Sequence, residues 1–243
     1  MTERRQPPNR SPLALRFIHA AIFLAISAGA MAAGFPEWQH GVRALRQPYH
    51  VGTPPQALGI LAFLLGAAGA LALLASLARG RSAPLSVSWL ILGGGGAAVL
   101  GTAAFAPPER PTELAVNTRL IQLGQRLQAT MVNQLQERGE VPVAREPWQQ
   151  ALDQVAPEES LFRTRAFRQV PPQVAQVETP EARPQALAPG MLLLFVSPDG
   201  ASFELRLVGL AQGLPQVLVD ETGAPVALRG LYNPDLPKPG PGP

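Results

Sequence analysis

Three histidines, seventeen carboxylates and no cysteine are the groups from which this 243-residue chain must build any chemistry. Glu37 and His40 stand at the Glu-x-x-His spacing of carboxylate-bridged di-metal sites, and His50 follows ten residues later. Such sites need a second copy of the motif and further inward-facing carboxylates, and the chain offers neither, so no metal is expected. His19 sits alone inside an apolar run and reads as a hydrogen-bonded or snorkelling residue rather than a proton relay or haem ligand. Residues 107–243 hold no His and no Cys, which excludes Ser–His and Cys–His nucleophile pairs; the lack of Cys also excludes thiolate zinc and iron–sulfur sites. Asp199, Asp220 and Glu221 could in principle pair for carboxylate-only catalysis, but turn formation accounts for all three. The glycine row Gly93–Gly96 follows no strand and carries no Gly-Lys-Ser/Thr, so it is no phosphate loop. No catalytic, cofactor-binding or metal-ligating residues are expected.

The elements that would position such residues divide the chain in two. The mean hydropathy of +0.10 averages unlike halves. Residues 1–106 carry eight Arg against Glu3 and Glu37, a net charge of +6; residues 107–243 carry eleven Arg and Lys238 against fifteen acidic residues, a net charge of −3. The basic excess lies at the ends of apolar runs and not on a face interleaved with aromatics, so nucleic acid is not an expected partner. Phe17–Phe35, Ala57–Ala78 and Ser86–Ala106 are almost purely apolar. Each is near the ~20 residues that cross a bilayer as a helix. The expected fold class is therefore a three-helix transmembrane region, 17–106, behind a basic N-terminus, 1–16, and joined to a small α+β extramembrane domain.

Arginine placement orients these spans. Arg4, Arg5, Arg10 and Arg16 precede the first, and Arg79 and Arg81 lie in the turn between the second and third, which assigns both segments to the cytoplasm and the C-terminal half to the periplasm or exterior of a bacterial inner membrane. The first span also fits a cleaved signal peptide, with Ala28, Ala30 and Ala32 as an A-x-A-like site, and cleavage would leave that sidedness unchanged. Small residues recur at four-residue spacing, among them Gly29, Gly66, Gly93, Ala97 and Gly101, and predict close helix packing within the chain or against another membrane subunit. After Pro36, the positions of Trp38, Val42 and Leu45 describe a short interfacial helix, about 36–47, anchored at the membrane surface by Trp38 and Tyr49.

In the polar half, Pro107, Pro108 and Pro111 end the third span, and Thr112 caps a helix that runs to Gly139, within a helical segment assigned to 107–170. Val116, Leu120, Leu123, Leu127, Met131 and Leu135 form one apolar stripe; either the domain's own sheet covers it, or Leu120, Leu127, Met131 and Leu135 meet a partner or a second copy. Glu146-Pro147-Trp148 opens a second helix through Val155, Pro157–Arg168 fits helix or strand, and Arg163, Arg165 and Arg168 read as a solvated basic face. Residues 171–189 read as a Pro-rich linker. Two hairpins within 190–232, turning at Asp199-Gly200 and at Asp220–Gly223, predict a four-stranded antiparallel meander, and 233–243 a disordered tail.

A long helix followed by a meander resembles pilin-like and other secretion-system envelope domains in architecture alone; the pilin processing signature is absent and two further spans precede the domain. The function expected is a non-enzymatic membrane-anchored scaffold or accessory subunit of an envelope complex. Its partners would be the bilayer and a membrane or envelope protein or a second copy, and it would need no cofactor. The alternative is a membrane sensor or signal-relay protein with an external ligand-binding domain. Transport is disfavoured by the lack of internal repeats and mid-membrane polar residues.

Overall fold

The computed structural model describes residues 13–104, 111–156 and 160–235. Arg4, Arg5 and Arg10, the last two residues of the third expected span, Pro107, Pro108, Pro157 and the tail from 236 lie outside them. The chain forms two compact units, one of residues 1–43 and 54–108, the other of 44–53 and 109–243.

The first unit is helical. Helix α1 (Leu13–Arg46) runs 34 residues, α2 (Ala57–Ala78) 22 and α3 (Leu85–Ala104) 20. Two of these, Leu15–Arg46 and Ala57–Ala78, are long and apolar enough to cross a bilayer; α3, over Leu85–Gly101, is apolar but falls short of the same length. The separate interfacial helix expected after Pro36 does not form, because α1 continues through Pro36 to Arg46. Proline removes one backbone donor from a helix, a loss a long helix survives when the turns on either side hold.

Close approach of the helices explains why they are rich in small residues. A methyl group at Gly34 would collide with the Gly59 carbonyl and lie 2.7 Å from the Phe63 nitrogen, so α1 and α2 touch backbone to backbone there. Gly66 of α2 meets Ser27, Ala30 and Met31 of α1, and Gly94 of α3 approaches the Gly66 nitrogen. The interior is correspondingly small: Ala30, Ala62, Ala97 and Ala98 form one cluster, and Ala20, Leu73, Val87 and Ile91 another. Large apolar side chains point outward instead, with Leu71 68% exposed and Trp89 66% exposed.

The second unit packs helices on a mixed sheet. Helix α4 (Glu113–Arg138) begins at Thr112, whose Oγ1 accepts the Ala115 N–H, and ends at Gly139 in the left-handed region, as its sequence predicts. Helix α5 (Arg145–Val155) follows. Segments β1 (Tyr49–His50), β2 (Phe162–Thr164) and β3 (Gln169–Val170) make a small antiparallel sheet in that order. The main sheet contains β4 (Gln173–Gln176), β5 (Met191–Val196), β6 (Ser202–Ala211), β7 (Leu214–Val217) and β8 (Ala227–Leu231).

This sheet corrects the expected meander in two ways. Strand β4 pairs parallel to β5, so the sheet is mixed, and the stretch read as a linker supplies a strand. Strands β7 and β8 both run antiparallel to β6: Val217 faces Val208 and Ala227 faces Arg206, so two residues of β6 correspond to ten of the other strand. The surplus forms a small excursion closed by the Val219↔Pro225 bridge, with Asp220 to Ala224 at its tip. The second hairpin cue thus marks a bulged edge rather than two further strands of a meander.

Side-chain alternation then sets the core. Leu192, Leu194 and Val196 of β5 and Phe203, Leu205 and Leu207 of β6 present one face to the stripe of α4, and all are buried. Gly124 lets α4 settle against Leu207 and Leu228. Trp148 of α5 is fully buried, with its Nε1–H donating to the Pro142 carbonyl at 2.7 Å and its ring edge-on to Phe203. On the opposite face Leu193, Val208 and Val217 pack under Val177, Leu187 and Met191. Arg206 is buried there and donates to the Ala182 carbonyl at 2.8 Å, which fastens the 177–190 segment across the sheet. Two glutamines of α4, Gln128 and Gln136, donate to the Arg229 and Leu231 carbonyls of β8 and so occupy acceptors on an open strand edge.

Candidate functional site

Of the side chains singled out for chemistry, Glu37 is the most buried carboxylate, at 5% exposed. Its Oε2 accepts the Gln56 N–H at 2.6 Å, just before the first turn of α2, and its stem lies over Gly59. A carboxylate at a helix N-terminus satisfies an orphan donor and opposes the positive end of the helix dipole. Glu37 therefore joins α1 to α2. His50 is buried in the second unit, its ring 4.3 Å from that of Phe167. Among the described residues, no group of three or more His, Asp and Glu side chains is placed to hold a metal ion.

The turn carboxylates are occupied locally. Asp199 Oδ1 accepts the Ser197 hydroxyl at 2.6 Å and the Ala201 N–H at 3.1 Å, and these bonds hold its pKa below the usual carboxylate value. Asp220 Oδ1 accepts the Thr222 hydroxyl and N–H and the Ala224 N–H; the hydroxyl contributes most to a pKa that is likewise lowered. Glu221 points into solvent at the tip of the excursion. In the small sheet, Arg163 donates to the Phe167 carbonyl, while Arg165 and Arg168 are exposed.

The residues chosen for packing and anchoring divide. Gly66, Ala97 and Gly101 lie in the helix interior, with Gly101 against Leu58 of α2. Gly29 and Gly93 do not: a methyl on Gly29 would meet nothing within 4 Å, and Gly93 is exposed while its neighbour Gly94 makes the contact. Gly34, Gly59 and Gly69, where the helices approach most closely, were absent from the expected set; small–x6–small or cross-helix matching would have been needed to find them. Trp38 is half-buried and stacked on Phe63 at 5.2 Å. Tyr49 is no free anchor, because it pairs with Thr164 through β1 and β2 and packs on the core of the second unit. Leu120, Leu127, Met131 and Leu135 are buried under the domain's own sheet, which leaves no exposed stripe for a partner.

At the end of the helices that bears Arg16 and the α2–α3 turn, a cavity of about 220 Å³ opens between Leu15, Arg16, His19 and Ala20 of α1, Leu73 and Leu77 of α2, and Arg81, Ser82 and Ala83 of the turn. Arg16 and Arg81 thus meet at one end of the bundle, and His19 belongs to the rim of this cavity, its ring 4.5 Å from Phe23.

Comparison of the chain with protein-family models, with curated proteins and with solved structures yields no match in any of the three.

Proposed function

We propose that this protein is a non-enzymatic membrane-anchored scaffold or accessory subunit of a bacterial envelope complex, with α1, α2 and α3 all spanning the bilayer and the second unit carrying the partner-binding surface. The observation that carries the reading is the outward face of the helices. Only 22% of each long apolar window is buried within the protein, whereas a core helix of a water-soluble protein hides most of its apolar residues. Leaving side chains such as Leu71 and Trp89 in water would forfeit about 1.5–3 kcal/mol each, and a hydrocarbon environment removes that cost. Twenty residues of α3 reach about 30 Å, the thickness of the hydrocarbon layer.

Sidedness follows from Arg16, Arg79 and Arg81. With these at the cytoplasmic face, α1 and α3 both run outward, which directs residues 44–53 and those after 104 to the periplasm or exterior. A non-enzymatic role is supported by the structural tasks of four acidic side chains: Glu37 bonds the start of α2, Asp199 and Asp220 shape turns, and Glu204 pairs with Arg229 at 2.7 Å.

Three measurements test the proposal. The protein should resist extraction by alkaline carbonate, a reporter fused after Pro243 should be active only outside the cytoplasm, and purification in mild detergent from the native host should recover a stoichiometric membrane or envelope companion. Release by carbonate would end the membrane reading, a cytoplasmic reporter would invert the topology, and a solitary monodisperse protein would remove the scaffold role.

A further inference from the structure

We propose that the cavity between Arg16, His19, Leu77 and Arg81 is a binding site for one anionic phospholipid, its phosphate held by the two guanidinium groups and its glycerol and first methylenes seated on the leucines. The inference rests on the membrane reading above and specifies a ligand at the arginine-bearing end.

Three observations lead to it. The lining is amphipathic in an ordered way: Leu15, Leu73 and Leu77 form apolar wall, while Arg16, His19, Arg81 and Ser82 supply donors. A water-soluble anion would leave the leucines uncovered, and an apolar helix would offer the arginine side chains no acceptor. The volume, about 220 Å³, is smaller than the roughly 300–1,000 Å³ of pockets that enclose whole drug-sized ligands. It suits the head of a lipid whose chains continue along the outer surface of the helices, where Ile18, Ile22 and Leu74 are exposed. Among the described residues, the charged side chains that line the cavity are Arg16 and Arg81. Between residues 13 and 104 the sequence holds a single acidic residue, Glu37, which bonds to Gln56 at the other end of α2, 22 residues from the turn. Arg79 adds a further positive charge beside the site without lining it.

Depth agrees with this occupant. Arg16 and Arg81 lie at the ends of apolar helices, where basic side chains meet the headgroup layer, and the cytoplasmic leaflet to which they are assigned is the one in which basic pockets between helices recognise anionic headgroups. Planar guanidinium groups bind phosphate through two parallel hydrogen bonds, which favours arginine over lysine at such a site.

The test uses the full chain in mild detergent, with lipid binding followed by native mass spectrometry and by thermal melting. Dioleoylphosphatidylglycerol should bind at least tenfold more tightly than dioleoylphosphatidylcholine and raise the melting temperature, whereas millimolar inorganic phosphate should do neither. Arg16→Gln and Arg81→Gln should each remove the tenfold preference, Arg81→Lys should retain part of it, and Arg79→Gln should leave it intact. Equal binding of the two lipids by the unaltered protein would overturn the proposal without reliance on any variant. So would protection by inorganic phosphate alone, which would identify a soluble-anion site, or an equal loss in Arg79→Gln, which would identify diffuse surface charge. A protein that resists carbonate yet shows no lipid preference refutes only the lipid site; one that washes off membranes refutes the membrane reading as well.

Discussion

The two units solve the packing problem with opposite materials. In the first, the interior is mostly Gly and Ala, with Leu73, Val87 and Ile91 at one end, and most large side chains face outward; in the second, Trp148, Phe162, Phe203, Met131 and a set of leucines fill the interior and the polar residues face outward. The difference follows from what each surface meets. In water, burying large apolar groups drives folding, so a domain gains by putting its bulk inside. Between helices in lipid that drive is absent, and association depends on dispersion contacts that grow as backbones approach. Removing atoms should therefore damage the second unit most, and adding atoms should damage the first.

The largest expected effect is subtraction at Trp148. Trp148→Ala leaves a large void beside Phe203 and should cost about 3–5 kcal/mol. Urea denaturation of the full chain in mild detergent, followed by circular dichroism, should then show the second unit melting far earlier while the helical signal of the first persists. Coincident loss of both would mean that the two units are not separately stabilised.

Addition should come next. Gly34→Ala places a methyl against the Gly59 carbonyl and the Phe63 nitrogen, neither of which can rotate away, and should cost about 1–3 kcal/mol. Gly29→Ala, on the same helix, meets nothing and should be neutral or slightly stabilising, since Ala exceeds Gly in helix propensity by up to about 1 kcal/mol. Equal melting temperatures for the two variants in detergent would refute backbone contact at Gly34.

Glu113 sharpens the comparison because it ties two distant parts of the second unit together, as Glu37 ties two helices of the first. Its carboxylate accepts the N–H groups of Gln212 at 2.8 Å and Gly213 at 2.9 Å, which form the turn between β6 and β7. Glu113→Ala should cost about 1.5 kcal/mol, the lower end of the range for charged hydrogen bonds, because one of the two lies in solvent. Acid should act in the same direction. The pKa values of Asp199 and Asp220 are lowered on folding, so their contribution is complete above the ordinary carboxylate value and is lost as pH falls below it through the lowered folded value. The second unit should thus weaken below about pH 4, and Asp199→Asn combined with Asp220→Asn should flatten that acid limb; an unchanged profile would place the loss at other carboxylates.

What could be read from the chain was whatever depends on neighbours in sequence. The α4 stripe, its Thr112 and Gly139 ends, the α5 start at Glu146-Pro147-Trp148 and the bounds of β5 all repeat local periods or caps. Parallel pairing of β4 with β5 left no such mark, because a four-residue strand just after Pro172 is too short to show a period and acquires its partner across the chain. The glycine contacts were legible as a class but not in register: Gly93 and Gly94 are equivalent in composition, and only the partner helix decides which one faces it. Tyr49 was misplaced for a similar reason, since its strand partner Thr164 lies more than a hundred residues away.

The turn at Gln212-Gly213 is the sharpest case. Both residues have positive φ, 54° and 75°, as a two-residue hairpin turn that matches strand twist requires, yet Gln is a poor choice for the first position and Asn is the usual one. Gly213 is the local mark of the turn, and Gln212 adds none. The structure explains it by contacts from afar: the Glu113 carboxylate holds both N–H groups, and the Gln47 side chain donates to the Gln212 carbonyl. If those contacts impose the conformation, Gln212→Asn relieves backbone strain and should stabilise the second unit by a few tenths of a kcal/mol. The gain should be larger in the Glu113→Ala background, where the turn must form on its own propensity. Equal gains in both backgrounds, measured by urea denaturation, would show that Glu113 does not enforce the turn.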